Sequence, residues 1–486
     1  MKVLIANRGE IACRIIHTLR EMSIPSVAVY TDIDADSPHV WLADDSVALG
    51  ATSAYLDVQT VLAASKSSGA TAIHPGYGFL SQNAEFAREC AKAGITFIGP
   101  SPEAMIALGD KRGSSLTATK LGIPVVPGAR ETDSLDDARK AAAKVGYPIL
   151  VKAAGGGGGK GMRRVNSDDE LSDAFDAAKR EAKGAFADDR LLVEKYVHPA
   201  RHVEVQILGD GKNAIALGER ECSLQRRYQK VIEESPSTGI SEKTRQALFD
   251  AACRLATATK YASAGTVEFL IGPDESFYFL EVNSRLQVEH PVTEALTGID
   301  LVRAQIEIAQ GEKLPNAPAP RGHAIEARLY AEDPYNGYLP SSGKVLMLDW
   351  PSMPNLRVDT GIVEGSVVHP FYDPMLAKLV TWGPTREHAR RRMIDALSQT
   401  TLLGLTTNQT FLIEILKRDF FISGQTFTTT LESETWSKPE APEFAGTAAA
   451  QILSQRSVDT GGTSGPSDRY SPWRTLGAFR MGSWAG

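Results

Sequence analysis

The sequence predicts a mixed α/β and α+β protein. It should hold an N-terminal doubly wound parallel sheet, a mobile glycine-rich lid, and a larger C-terminal domain of mixed, mainly antiparallel sheet. Three observations predict this. Short apolar runs alternate with helical patterns through the first part of the chain, as in βα units. Five consecutive glycines separate two strand-like runs near residue 155. Beyond residue 196, strand-like runs carry charged residues at their centres. At 486 residues the chain exceeds one ordinary core, so several domains are expected.

The first domain is assigned to residues 1–122. Residues 2–6 and 26–31 read as strands around a helix over 10–22, and 71–74 and 95–99 continue the alternation. The first turn, Asn7-Arg8-Gly9-Glu10, lacks the G-x-G-x-x-G pattern, so a dinucleotide is not indicated.

The lid is assigned to residues 123–195. The run Tyr147-Pro148-Ile149-Leu150-Val151-Lys152 leads into Gly155, Gly156, Gly157, Gly158 and Gly159, then Lys160-Gly161. Glycine lets a backbone fold closely over phosphate oxygens with its N–H groups inward. This is not a Walker A loop, because Gly161 rather than Ser or Thr follows Lys160. A mobile hairpin tip over phosphates is one reading; a flexible linker is the other. A helix is expected over 170–183.

The third domain is assigned to residues 196–437. Glu268 sits inside the apolar run Gly265-Thr266-Val267-Glu268-Phe269-Leu270, where a carboxylate is costly unless paired or bound to a cation. Gly272-Pro273-Asp274-Glu275-Ser276 reads as a hairpin turn into a second run that carries Glu281. Glu281, Asn283, Arg285, Gln287 and Glu289 then recur at every second position. One extended strand would put all five on one face. Glu268, Glu281 and Asn283 make a hard oxygen set suited to Mg²⁺ bridging nucleotide phosphates. Residues 219–234 cluster Arg220, Arg226, Arg227 and Lys230 with Gln225 and Gln229. That set suits an oxyanion such as phosphate or bicarbonate, or is simply a solvated face.

Residues 438–486 read as a linker rich in Ala, Ser, Gly, Thr and Pro, ending near an aromatic cluster around Trp473 and Phe479. A net charge of −7 argues against non-specific nucleic-acid binding. No run approaches eighteen apolar residues, so no membrane span is expected. Cys13, Cys90, Cys222 and Cys253 lack metal-ligand or disulfide spacing, which fits reduced thiols. A strand begins at once, with no signal or transit segment ahead of it, so a cytoplasmic location is expected.

Further segments join these. They are Ala6-Asn7-Arg8-Gly9-Glu10-Ile11-Ala12, His74-Pro75-Gly76-Tyr77-Gly78-Phe79-Leu80-Ser81, Gly109-Asp110-Lys111, Glu289-His290-Pro291-Val292-Thr293-Glu294 and Arg321-Gly322-His323-Ala324-Ile325-Glu326-Ala327-Arg328. In this order they resemble biotin carboxylase, the ATP-dependent component of biotin-dependent carboxylases in the ATP-grasp superfamily. The likeness runs from Met1 to about Leu431 and is nearest to the biotin carboxylase part of acyl-CoA carboxylase α-subunits.

The resemblance implies ATP-grasp architecture and a reaction. MgATP (or MnATP) and bicarbonate would give carboxyphosphate, and the carboxyl group would pass to N1′ of biotin. Lys111, Lys152 and the five glycines would hold phosphates. Glu194, Lys195 and Val197 would form the adenine hinge, with His202 and Gln225 on the nucleotide side. Glu268, Glu281 and Asn283 would hold the metal. Lys230, Arg285, Gln287 and the Val288 N–H would bind bicarbonate, and Glu289 would take its proton. Arg328 would stabilise the biotin anion, with Tyr77 on the same side.

Two positions depart from the family: Tyr228 stands where His or Asn is common, and Gln82 where Glu is common. The biotin-attachment motif is absent, so biotin would arrive on a carrier protein or domain. A carboxyltransferase subunit and a homodimer or higher assembly are the other implied partners; no nucleic acid or membrane is. The alternatives are a pyruvate or urea carboxylase part, another carboxyl-activating ligase of the superfamily, and a non-catalytic nucleotide-binding subunit.

Overall fold

A computed structural model describes residues 1–109, 111–132, 134–153, 162–186, 188–440 and 444–451. Residues 1–436 form one compact unit. In the unit over 437–486 the described residues include a helical run at 445–451.

The N-terminal sheet is parallel, as its alternating pattern predicts. Its strands run in the order Asp45–Gly50, Ser26–Thr31, Val3–Ile5, Ala72–His74, Thr96–Phe97. Helix Gly9–Glu21 follows the first strand and buries Ile11, Ala12, Ile15, Ile16 and Leu19, an i, i+4 stripe facing the core. The turn before that helix is tied to the turn after the fourth strand. Asn7 Nδ2 donates to Pro75 O at 2.8 Å and Tyr77 O at 2.7 Å. Gly76 has φ +62°, and a Cβ there would lie 2.8 Å from Asn7 Nδ2, so only glycine fits.

The next segment builds a separate antiparallel sheet in the order Gly128–Thr132, Leu191–Lys195, Ile149–Ala153, Arg163–Val165. Helices Leu135–Val145 and Asp168–Phe186 pack on it. The five glycines lie outside the described residues.

The largest sheet has eight antiparallel strands. The order is Phe277–Asn283, Ala262–Ile271, Arg201–Asp210, Ala214–Arg226, Gln229–Ser235, His323–Tyr330, Met375–Gly383, Leu356–Thr360. Strand Arg201–Asp210 shows how it serves two purposes. Val203, Val205 and Ile207 join the core under helix Glu242–Ala258, each worth about 1.5–3 kcal/mol when buried. His202, Glu204 and Gln206 alternate with them and are buried on the other face, which is where polar chemistry gathers. The hairpin reading holds: Gly272 N donates to Ser276 O at 2.8 Å.

One expectation fails here. The period-two run does not continue as a strand to residue 289. The strand ends at Asn283, 284–289 form an irregular turn, and Glu289 is the N-cap of helix His290–Thr297 with φ −81° and ψ 11°. Pro291 explains the switch, because proline has no N–H for a ladder and is preset for the first helical turn. The polar groups still converge, but by a bend rather than by strand alternation.

Candidate active site

Six segments meet at one charged cluster. Lys230, near the start of strand Gln229–Ser235, lies among three carboxylates. Its Nζ donates to Glu204 Oε2, to Glu268 Oε1 at 3.0 Å and to Glu289 Oε1 at 2.6 Å. Burial alone would lower the Lys230 pKa, but Glu204, then Glu268 and Glu289, outweigh it and raise it well above the usual range. Burial likewise opposes ionisation of Glu289. Lys230 first, then Arg328 and Arg220, overcome that and hold its carboxylate well below the usual range. Lys230 and Glu289 are thus both held in their charged forms, while burial raises the Glu204 carboxyl from its usual range despite Lys230.

Glu289 is clamped from the other side by Arg328, whose Nη2 lies 3.0 Å from Glu289 Oε2. Arg220 closes the base of the site. It donates to Glu204 Oε1 at 2.7 Å, Gln206 Oε1 at 2.7 Å, Thr293 Oγ1 at 2.9 Å, Thr266 Oγ1 at 3.0 Å and Gln287 Oε1 at 3.1 Å. A guanidinium with all its donors used is a fixed scaffold. Gln287 in turn gives its Nε2 to Glu268 Oε1 at 2.9 Å.

Glu268 and Glu281 stand opposite each other on adjacent strands, and Asn283 Nδ2 reaches Glu268 Oε1 at 2.9 Å. The Glu268 and Glu281 carboxylates fit a hard divalent cation, whereas Asn283 turns its Nδ2 to Glu268 and its Oδ1 to Arg285. His202 Nε2 lies 3.2 Å from Glu268 Oε2, and its Nδ1 contacts Gln225 Nε2 at 3.1 Å. Burial pulls the His202 pKa down, yet Glu268 raises it overall. Arg285 Nη2 donates to Asn283 Oδ1 at 3.0 Å.

A cavity of about 360 Å³ opens over this cluster. It is lined by Lys152, Glu194, Lys195, Val197, His202, Gln225, Lys230, Glu268, Glu281, Asn283, Arg285, Gln287, Val288, Glu289 and Arg328. Residues from the second and third predicted domains are therefore brought together. Lys152 Nζ pairs with Glu194 at 2.5 Å, while Lys195 Nζ turns to the Gly146 and Tyr147 carbonyls. Lys111 opens helix Lys111–Lys120; its side chain lies outside the described residues. Tyr77 does not line the cavity; its hydroxyl donates to Glu10 Oε1. Tyr228 lines the mouth, 52% exposed. Gln82 Oε1 accepts from Ser284 N at 2.9 Å, so it ties the N-terminal domain to the 284–289 turn. A second cavity, about 820 Å³, lies beside Arg14, Glu294 and Arg357 and holds none of the predicted residues.

Sequence reasoning missed Glu204 and Lys378, and left Arg220 in a stretch read as either an oxyanion site or a solvated face. Glu204 had the same signal as Glu268, a carboxylate inside an apolar run. Lys378 is fully buried and donates to Val288 O at 2.8 Å; only the strand order places it beneath the 284–289 turn.

Comparison with known proteins identifies the family. Family models described as "Biotin carboxylase, N-terminal domain", "Carbamoyl-phosphate synthase L chain, ATP binding domain" and "Biotin carboxylase C-terminal domain" match residues 1–105, 110–317 and 326–433. Methylcrotonoyl-CoA carboxylase subunit alpha of Dictyostelium discoideum is 44% identical over 99% of this chain and 70% of its own length. The propionyl-CoA carboxylase alpha chain of Homo sapiens is 47% identical over 87% of this chain and 60% of its own length. A biotin carboxylase–beta-gamma-ATP complex from Campylobacter jejuni superposes with a TM-score of 0.87 at 41% identity, over 89% of this chain and 98% of that one. The biotin carboxylase domain of Hydrogenobacter thermophilus 2-oxoglutarate carboxylase, in complex with MgADP, ADP and bicarbonate, gives 0.87 at 40% identity over 90% and 99%.

Proposed function

The chain belongs to the biotin carboxylase family of ATP-dependent ligases, and we propose that it carboxylates biotin on a carrier as the first half-reaction of an acyl-CoA carboxylase. The observation that supports this most is Glu289 held between Lys230 and Arg328 in a cavity shared with Arg285 and Gln287.

Bicarbonate would sit against the Arg285 fork, Gln287 and the Val288 N–H. Glu289 would take its proton as a bicarbonate oxygen attacks the γ-phosphorus of ATP, the bond to ADP breaking with its electron pair leaving on ADP. A carboxylate with a depressed pKa is a weak base, so deprotonation is coupled to that attack. Lys230 is the partner that changes: each anion that enters draws on its charge and loosens its hold on Glu289. A divalent cation, which Glu268, Glu281 and Asn283 would hold, would supply charge neutralisation of the phosphates. Lys111, Lys152, the glycines 155–159 and the hinge Glu194, Lys195 and Val197 would hold the nucleotide. His202 and Gln225 would flank it. Water exclusion by the closed lid, assigned to 123–195 between domains 1–122 and 196–437, would protect carboxyphosphate. The carboxyl group would then pass to N1′ of biotin, its C–O bond to phosphate breaking, and the departing phosphate would take up the N1′ proton. The Arg328 guanidinium would face the ureido oxygen, where negative charge develops.

An acyl-CoA is the proposed final acceptor, since the relatives are methylcrotonoyl-CoA and propionyl-CoA carboxylase subunits. The chain spans 70% and 60% of those two relatives. A biotin carrier, a carboxyltransferase and a homo-oligomer are proposed partners. Among the described residues no helix is long and apolar enough to cross a membrane. Four free thiols fit a reducing compartment, and the cytoplasm is the proposed location. The test is ADP release from MgATP by the purified chain. It should require bicarbonate and rise with free biotin; release indifferent to both would overturn the reading.

A further inference from the structure

Two carboxyls stand behind Arg328 with no role in the reaction above. Glu233 and Glu326 are paired at one register position of the antiparallel strands Gln229–Ser235 and His323–Tyr330, where facing Cβ atoms lie about 5 Å apart. Both side chains are completely buried. Both Glu326 oxygens lack a hydrogen-bond partner, and neither Glu233 oxygen has one of good angle. Arg328 is two residues beyond Glu326 on the same face. Its Nη2 contacts Glu233 Oε1 behind and Glu289 Oε2 in front, the latter at 3.0 Å.

We propose that Glu233 and Glu326 share one proton and act as a positioning pair for Arg328. Protonated Glu326 donates to Glu233, and ionised Glu233 holds the guanidinium back from Glu289 so that it faces the biotin ring. This rests on the biotin reading of Arg328. Two adjacent buried carboxyls do not both ionise without a cation each, and Arg328 is the cation that touches one of them. Burial holds Glu326 neutral, its pKa well above the usual range despite Lys378 on the neighbouring strand. Burial pushes Glu233 up to about 7, against the pull of Arg328. Glu289 raises it further and Lys230 lowers it. When Glu233 takes a proton, Arg328 is left with Glu289 as its only carboxylate partner among these, and the guanidinium withdraws from biotin. Glu289 itself titrates well below the usual carboxylate range, so it does not produce an acid limb near neutrality.

The test is the pH profile of kcat/KM for free biotin, with the KM for ATP measured in parallel. The unaltered chain should show an acid limb near pH 7. Glu233→Gln should abolish that limb and raise the KM for biotin at least about tenfold, with the KM for ATP little changed. Glu326→Gln is isosteric and keeps a donor to Glu233, so the limb should stay. Glu326→Leu removes the donor and should move the limb to higher pH. A limb that persists in Glu233→Gln, or Gln and Leu variants of Glu326 that behave alike, would overturn the pair. No biotin-stimulated turnover in the unaltered chain would instead overturn the reading of function.

Discussion

Lys230 Nζ lies 2.6 Å from Glu289 Oε1 while it also holds Glu204 and Glu268. One ammonium therefore touches three buried carboxylates, with Arg220 on Glu204 and Arg328 on Glu289 as further cations, and the base of the proposed reaction shares a counter-ion with the metal-side glutamate. Anion binding and base strength are coupled through this single side chain.

Removing that side chain should be severe. Lys230→Met leaves three buried carboxylates with less compensation, so the Glu289 pKa should rise. Loss of one partner of a buried pair typically costs about 3–5 kcal/mol. Biotin-dependent ADP release should fall at least about 100-fold, and thermal unfolding should begin earlier. Near-normal kcat with a lowered melting temperature would reduce Lys230 to a structural role.

Glu289→Gln keeps the shape and removes the base. Turnover should fall about 10²–10⁴-fold, while ATP affinity measured by calorimetry stays close to that of the unaltered chain. A matching loss of ATP affinity would move Glu289 into nucleotide binding.

Much of this site was legible because polar residues in apolar runs need a reason. Glu268 was found that way, and the hairpin that brings Glu281 opposite it followed from Gly272-Pro273. What failed was the geometry of 284–289, since five alternating polar residues look the same in a strand and in a turn that bends before Pro291. Long-range partners were invisible for a different cause. Lys378 and Arg220 act through strand neighbours far apart in sequence, and only the order of the eight-stranded sheet reveals them. Four strands of the parallel N-terminal sheet were readable because they are short, apolar and spaced by helices; the edge strand Asp45–Gly50 was missed because it opens on the polar Asp45 and Ser46 and has no buried residue.

The contribution of two buried histidines to stability should fall on acidification, against the opposite contribution of buried carboxyls such as Glu233, which burial pushes up to about 7. His39 and His74 are completely buried, and burial lowers each pKa from 6.5 to about 4. At these two residues the unfolded chain binds more protons than the folded one between those values, so their contribution is full above pH 6.5 and is lost as pH falls toward 4. Each histidine accounts for up to about 3 kcal/mol. Urea midpoints measured from pH 7.5 to 4.5 should decline less steeply in His39→Gln than in the unaltered chain. A pH dependence identical in the unaltered chain and in His39→Gln would contradict the buried neutral state.

The compact unit over residues 1–436 should stand alone. A chain ending after residue 438 is expected to melt within a few degrees of the full chain and keep its activity toward free biotin, while losing co-purification with the proposed carboxyltransferase. Unfolding or total loss of activity would make the last residues part of the catalytic unit.

The most direct measurement follows the carbon. Purified chain, MgATP and isotopically labelled bicarbonate are incubated with free biotin, and acid-labile label on biotin is counted against ADP released. The account predicts label on biotin that requires ATP and disappears in Glu289→Gln. ATP cleavage with no label transferred to biotin, under conditions where the chain is folded and binds nucleotide, would contradict it.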